Sequence, residues 1–281
     1  MVAAGARKGL TDFYAKEAKR LGYVARSAFK LLELSDRFGI LRKGAHVLDL
    51  GCHPGAWTQV ACRALGHPDE GGGVLGVDLR ETELGTLRHV DRRARFAVAD
   101  ATTLCEKRLR ALRGGDGDGD GDGDGDGDES IATRRRTRPF TVVLSDMAPS
   151  TTGAADVDAA RSYELAEAAV RIALGERALD VLYDDDDDDD DDDEGSSSFG
   201  HRTSAISSSP DPDGGDRGGR EETGVLRKGG SLVVKLLEGP GGGKADLQAV
   251  CARAFDRVRW YRPRATRRDS SEVFLVARGR R

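Results

Sequence analysis

The segment "SLVVKLLEG" (231–239) is an apolar strand with one charge inside it, Lys235. Burying an unpaired ammonium costs several kcal/mol, so such a lysine needs a partner, an exit to water, or a chemical task. Three other charges sit in similar places. "LSDMAP" (144–149) puts Asp146 at the end of an apolar run, and "SSEVFLV" (270–276) puts Glu272 at the start of another. "ARSAFKLLEL" (25–34) carries Lys30 on a helical pattern with apolar neighbours. Parallel neighbours would bring Asp146 and Lys235 to one rim of a sheet, and Glu272 joins them if its strand runs the other way. An amine among carboxylates can hold or take the proton of a hydroxyl nucleophile.

A second constellation is "VLDLGCHPGAWTQ" (47–59), an apolar strand, a glycine turn and a helical pattern. Gly51 and Gly55 let the main chain approach a ligand closely. Their spacing is not GxGxxG, which weakens a dinucleotide reading and removes the third glycine that a nicotinamide dehydrogenase wants. Asp78 ends the next strand, where an acid grips ribose hydroxyls, and Asp100 ends the third, near where an adenine edge would lie. Asp49 is placed to order the loop. Acids without a phosphate cradle fit S-adenosylmethionine better than a nicotinamide dinucleotide, because the methyl donor has no pyrophosphate.

The elements that must position these residues alternate. Helical patterns fill 12–38, 56–65, 158–182 and 244–255; strands are predicted at 45–52, 73–79, 94–100, 140–149, 231–239, 258–263 and 271–279. That order predicts an α/β fold with a mostly parallel sheet and helices on both faces. The link between the last two strands is too short for a parallel crossover, so one strand runs antiparallel. The expected organisation is a short tail at 1–10, then one domain over 11–281, with acidic insertions at about 113–137 and 183–224.

Those insertions distort the composition. Residues 116–129 carry eight acids and 184–194 carry eleven, with no Lys or Arg in either run. Without these nineteen acids the net charge turns from −5 to +14, so the remainder is strongly basic and suited to a polyanion. The four cysteines form no CxxC pair, which argues against a structural zinc site and for reduced intracellular thiols. No run is long enough to cross a membrane as a helix. The short basic N-terminus is compatible with an organelle signal. A base-carbon methyltransferase would need a Pro-Cys or Thr-Cys nucleophile, and an exocyclic-amine enzyme an aromatic residue soon after "DMAP"; neither is present.

Taken in order, "ARSAFKLLEL", "LDLGCHPGAW", "LSDMAP", "LVVKLLEG" and "SSEVFLV" resemble the FtsJ (RrmJ) type of RNA 2′-O-methyltransferase, from about residue 11 to 278 outside the insertions. The resemblance implies a Rossmann-like methyltransferase sheet, S-adenosylmethionine as cofactor, and no metal. It implies a catalytic tetrad of Lys30, Asp146, Lys235 and Glu272. Gly55, Trp57, Asp78 and Asp100 match its cofactor positions, and Asp146 lies beside the methyl donor. His53, Ala56 and Ser150 depart from the family's usual residues.

The ending "YRPRATRRDSSE" (261–272) is most similar to bacterial and organellar large-subunit rRNA members. That implies a monomer acting on ribosomal RNA within the large subunit, at a uridine-type site, in a mitochondrion or plastid. "RRRTR" (134–138), "RKG" (227–229) and "YRPRATRR" (261–268) are expected to meet phosphates. Whether Lys235 takes the 2′ proton or only steers the hydroxyl stays open at this level. A tRNA or cap 2′-O-methyltransferase, and a non-catalytic ribosome-assembly factor, are the alternatives.

Overall fold

The computed structural model describes residues 5–83, 85, 87–114, 139–180, 224–240 and 243–281. Both acidic runs and the basic stretch 134–138 fall outside the described residues. Among the described residues seven strands form one sheet in the order β3-β2-β1-β4-β5-β7-β6. They are β1 (His46–Leu50), β2 (Gly73–Asp78), β3 (Ala94–Val98), β4 (Phe140–Ser145), β5 (Leu226–Leu237), β6 (Phe255–Tyr261) and β7 (Glu272–Arg280). The first five pair in parallel; β7 runs antiparallel to both β5 and β6. The chain order reverses at β1, so the carboxyl ends of β1 and β4 open a crevice, the place where such sheets bind ligands.

Among the described residues six α-helices cover the two faces: α1 (Gly5–Leu21), α2 (Ala28–Phe38), α3 (Ala56–Ala64), α4 (Glu106–Gly114), α5 (Ala155–Leu174) and α6 (Lys244–Ala254). Alternation along the strands assigns each residue to a face. Leu48, Leu50, Val143, Leu232, Val234 and Leu275 pack against α5 and α6, where Ala169, Val170, Leu247 and Val250 are buried. Val47, Leu144, Val233, Phe274 and Val276 pack on the other side with Leu31 and Leu34 of α2 and Trp57 and Val60 of α3. Small alanines at 166, 169 and 173 let α5 lie close to the sheet.

Several boundaries differ from the sequence reading. The first helix starts at Gly5, inside the segment expected as a tail. On α2, Ala28, Lys30, Leu31 and Leu34 are buried, and Phe29, Leu32 and Phe38 pack half-buried against the same core. Helix α5 stops at Leu174 rather than near 182, because Gly175 turns the chain at φ 101°. Strand β5 starts at Leu226, ahead of its apolar run. Its register against β4 moves from Phe140↔Leu226 to Val142↔Ser231, a bulge that takes up "RKGG". Polar and glycine residues at a bulge leave no apolar pattern to read.

Candidate functional site

The glycine turn after β1 forms the floor of the crevice. Gly51 adopts φ 76°, and a Cβ there would fall 2.8 Å from the main-chain nitrogen of Met147. Only glycine allows the loops after β1 and β4 to meet this closely. Gly55, at φ 104°, caps the start of α3. His53 fastens the turn to its neighbour: its main-chain N–H donates to Asp78 Oδ2 at 2.9 Å, and its Nδ1 lies 3.0 Å from the Glu81 carbonyl. Arg80 N–H donates to Asp78 Oδ1 at 2.9 Å. A carboxylate has about four acceptor positions, so Asp78 keeps acceptor capacity for two further donors. Asp100 is exposed beyond β3 and accepts from Thr102 N and Oγ1 at 2.9 and 2.7 Å, which holds its carboxyl below the usual carboxylate range.

Trp57 is 2 % exposed. Its Nε1–H donates to the Ser27 carbonyl at 3.0 Å, and its ring tilts against Phe274 at 5.7 Å. The indole thus ties α3 to the start of α2 and to β7.

Asp49 is buried on the α3 face of β1. Thr58 Oγ1 donates to its Oδ2 at 2.6 Å, while Oδ1 has no partner. Burial pushes its pKa up to about 7, with Asp146 and Asp78 adding repulsion. An aspartate unfolds to an ordinary value near 4. Between about pH 4 and pH 7 the folded protein therefore keeps a proton that the unfolded chain has lost. Stability falls as pH rises through that window, by about 1.4 kcal/mol per unit from this group. Urea unfolding at pH 5 and pH 8 should show this decline in the native protein and a flatter profile in Asp49→Asn. Equal profiles would show that Asp49 is already ionised at pH 5.

The four charges are brought together as two ion pairs. Lys235 Nζ donates to the main-chain oxygen of Asp146 and to its Oδ1 at 3.1 Å. Lys30 Nζ donates to Glu272 Oε2 at 2.7 Å and lies 2.7 Å from Oε1. The register explains the arrangement. Ser145 pairs with Val234, so Asp146 follows β4 just where Lys235 follows in β5. Lys235 stands opposite Phe274 on β7, and Glu272 is two residues earlier on the same face. Lys30 comes down from α2, with Nζ 5.9 Å from the centre of the Phe274 ring. Phe274 is therefore the apolar floor shared by both pairs. Lys30, Lys235 and Glu272 are each 6–8 % exposed, so the ions are lodged in the rim rather than laid on it.

Two supporting residues had no signal in the motifs. Thr266 Oγ1 donates to Glu272 Oε1 at 3.2 Å. Glu33 accepts from Tyr261 Oη at 2.6 Å and from Arg264 N at 2.8 Å, clamping the β6–β7 loop to α2. Glu33 lies one helical turn beyond Lys30, and that spacing was the available clue. Of the basic segments, 261–268 borders the tetrad, while 227–229 lies at the far rim with the start of β5. Burial pushes the thiols of Cys62 and Cys251 up to about 12 and that of Cys52 up as well, so none is a poised nucleophile. Among the described residues no cluster suited to a metal is present, and no helix is long and apolar enough to cross a membrane.

Comparison with known proteins agrees with this geometry. The family model described as FtsJ-like methyltransferase matches residues 23–186 and 220–280. "Ribosomal RNA large subunit methyltransferase E" of Roseobacter denitrificans is 32 % identical, over 97 % of this chain and 83 % of its own. The protein of the same name from Rhodopseudomonas palustris is 30 % identical, over 96 % and 81 %. These relatives are bacterial and lend no support to the organellar location expected above. A solved structure from Plasmodium falciparum, described as a ribosomal RNA methyltransferase, shares the fold with a TM-score of 0.54 at 16 % identity, covering 92 % of this chain and 98 % of that one. The glycine turn, the rim charges and the match along both halves of the sequence agree: the chain belongs to the FtsJ-like methyltransferase family.

Proposed function

We propose that this protein transfers the methyl group of S-adenosylmethionine to a ribose 2′-hydroxyl of large-subunit ribosomal RNA. The observation that carries the reading is the Lys235 amine, held by two oxygens of Asp146 at the mouth of the cofactor crevice. Two of its N–H groups are spoken for, which leaves one position on Nζ. In the neutral amine that position is a lone pair, free to accept the 2′ proton.

The residues present suit the cofactor. Gly51 and Gly55 open the floor, Asp78 keeps acceptor capacity for ribose hydroxyls, and Asp100 stands at the end of β3 for the adenine edge. A cationic ligand in the crevice would favour the ionised form of Asp49, whose buried Oδ1 has no partner. Trp57 acts through its packing, by fixing the start of α3. When bound, the cofactor supplies a methyl carbon on a sulfonium sulfur that leaves as a neutral thioether.

The protein's own part is to place the nucleophile and manage one proton. Asp146 orients Lys235, and Lys235 receives the proton as the 2′ oxygen forms its bond to carbon. Lys30 and Glu272, locked together beside Phe274, fix the position of the target ribose. Holding the reactants in line supplies much of the rate by itself. A 2′-hydroxyl nucleophile requires RNA over DNA. The arginines of 262–268 next to the tetrad suit its phosphates.

The test is transfer of labelled methyl to intact large subunits, naked ribosomal RNA and tRNA, with the product located on ribose. Label on ribosomal RNA ribose supports the reading. Label on tRNA alone would replace the substrate, and no label on any RNA with cofactor binding intact would make the protein an assembly factor.

A further inference from the structure

The rim opposite the tetrad holds a basic cavity that the proposed reaction does not use. Strands β1, β4 and β5 begin there and β7 ends there. The cavity has a volume of about 870 Å³, and its walls include Arg42, Arg227, Ser231, Arg257 and Arg278. A neighbouring groove of about 450 Å³ continues along β6 past Arg257 and Arg259.

The charges on these walls are unbalanced. Lys43 is matched by Glu70 at 2.9 Å, and Asp256 by Arg281 at 3.3 Å. Arg42, Arg227 and Arg257 are exposed. Among the described residues no carboxylate lies within ion-pair distance of these three or of Arg278. Arg257 and Arg278 stand directly opposite each other across β6 and β7. Like charges in that position destabilise a sheet. Arg278 cannot swing away, since its guanidinium donates to the Phe38 carbonyl. The fold thus maintains a pair of facing guanidiniums that an anion would relieve, and guanidiniums match phosphate geometry.

We infer that this cavity binds backbone phosphates of the RNA substrate, at a contact remote from the reacting ribose; the inference rests on the function proposed above. The six residues of β4 separate the two rims by about 20 Å. Strand β6 is the edge of the sheet, and its residues 257 and 259 share the face of Tyr261. They form a basic path from the β6–β7 loop beside the tetrad to the cavity. A phosphate at the far end belongs to a part of the RNA distant from the target nucleotide. The site therefore favours a folded RNA over a short strand carrying the same target.

The experiment uses the full chain, with Arg227→Gln/Arg257→Gln as the variant. Both side chains are exposed, so a melting temperature at or above that of native protein and unchanged cofactor affinity verify its fold. Binding to a folded ribosomal RNA fragment and to a short oligonucleotide of the target sequence is measured across a salt series. The expected result is a loss of about 10-fold or more on the folded fragment, a salt slope shallower by about 2, and little change on the oligonucleotide. Equal affinity and equal slope for variant and native protein would overturn the inference, and so would an equal loss on the short strand. Pyrophosphate competing as well as the folded RNA would mark a small-anion site instead. Failure of the proposed reaction shows separately, as native protein that binds the folded RNA and transfers no methyl.

Discussion

Lys235→Ala should lower kcat for methyl transfer by about 1,000-fold while leaving cofactor affinity within a few-fold of native, in line with the range for removal of a positioned proton acceptor. The amine is the group that touches the 2′-hydroxyl in the proposed reaction, and nothing beside it can replace it. Lys30 is bound to Glu272, and Asp146 lies behind the amine. Loss of Lys235 also strips the Asp146 carboxylate of its cation. That side chain is 16 % exposed and reaches water, so the fold should survive.

Lys235→Arg separates the two roles left open by the sequence. A guanidinium keeps its proton at any working pH. If the lysine accepts the proton, arginine is as damaging as alanine; if it only steers the hydroxyl, arginine recovers much of the rate. Single-turnover methyl transfer with saturating cofactor reads this directly. Less than a 10-fold loss in Lys235→Ala would remove the amine from the chemical step.

The second large effect is on stability. Glu272→Ala leaves Lys30 in a rim where only 10 % of its side chain is exposed, beside an aromatic ring and with no carboxylate. Breaking a buried pair in this way costs about 3–5 kcal/mol. Replacing both members, as in Lys30→Met/Glu272→Leu, removes the uncompensated charge and should restore most of the stability, because paired desolvation is repaid only in part by attraction. Both variants should be inactive. The contrast between a folded, inactive double variant and an unstable single one, measured by urea unfolding, shows that the pair is kept for the reaction. A single variant as stable as native protein would mean that water already solvates Lys30.

Much of this architecture was legible because β-strands write alternation and apolar runs into sequence. "LVVKLL" and "VFLVA" are strands on composition alone, and the short segment 262–271 forced the reversal of β7. Asp146, Lys235 and Glu272 could be placed at one rim by counting strand ends, whereas Lys30, on a helix, joined them through the family resemblance. Their division into a Lys235–Asp146 pair and a Lys30–Glu272 pair could not be read, because it depends on the registers of β5 against β4 and against β7. Gly51 was recognised as a close approach, and the backbone it meets in the fold is that of Met147. Thr266 and the loop partners of Glu33 were invisible: both depend on where a basic loop folds back, and polar loops carry no period. The start of β5 was missed for the same reason, since "RKGG" enters the sheet as a bulge.

The strand that brings Glu272 to the rim is the last of the sheet in chain order, yet it lies between β5 and β6 rather than at an edge. Lys30 and Glu272 are 242 positions apart. During translation at about 5–20 residues per second, Lys30 therefore waits on the order of 10–50 s for its partner. Strand β5 ends at Leu237, so only over the last ~2–7 s of that interval does it present the open edge of "LVVKLL" to whatever is near, and an unpaired apolar edge invites wrong pairing. A nascent chain halted before residue 272 would hold the glycine turn, Asp146 and Lys235, and still lack the group that neutralises Lys30. Methylating activity and protection of that edge should both arrive only once the C-terminal hairpin has left the ribosome.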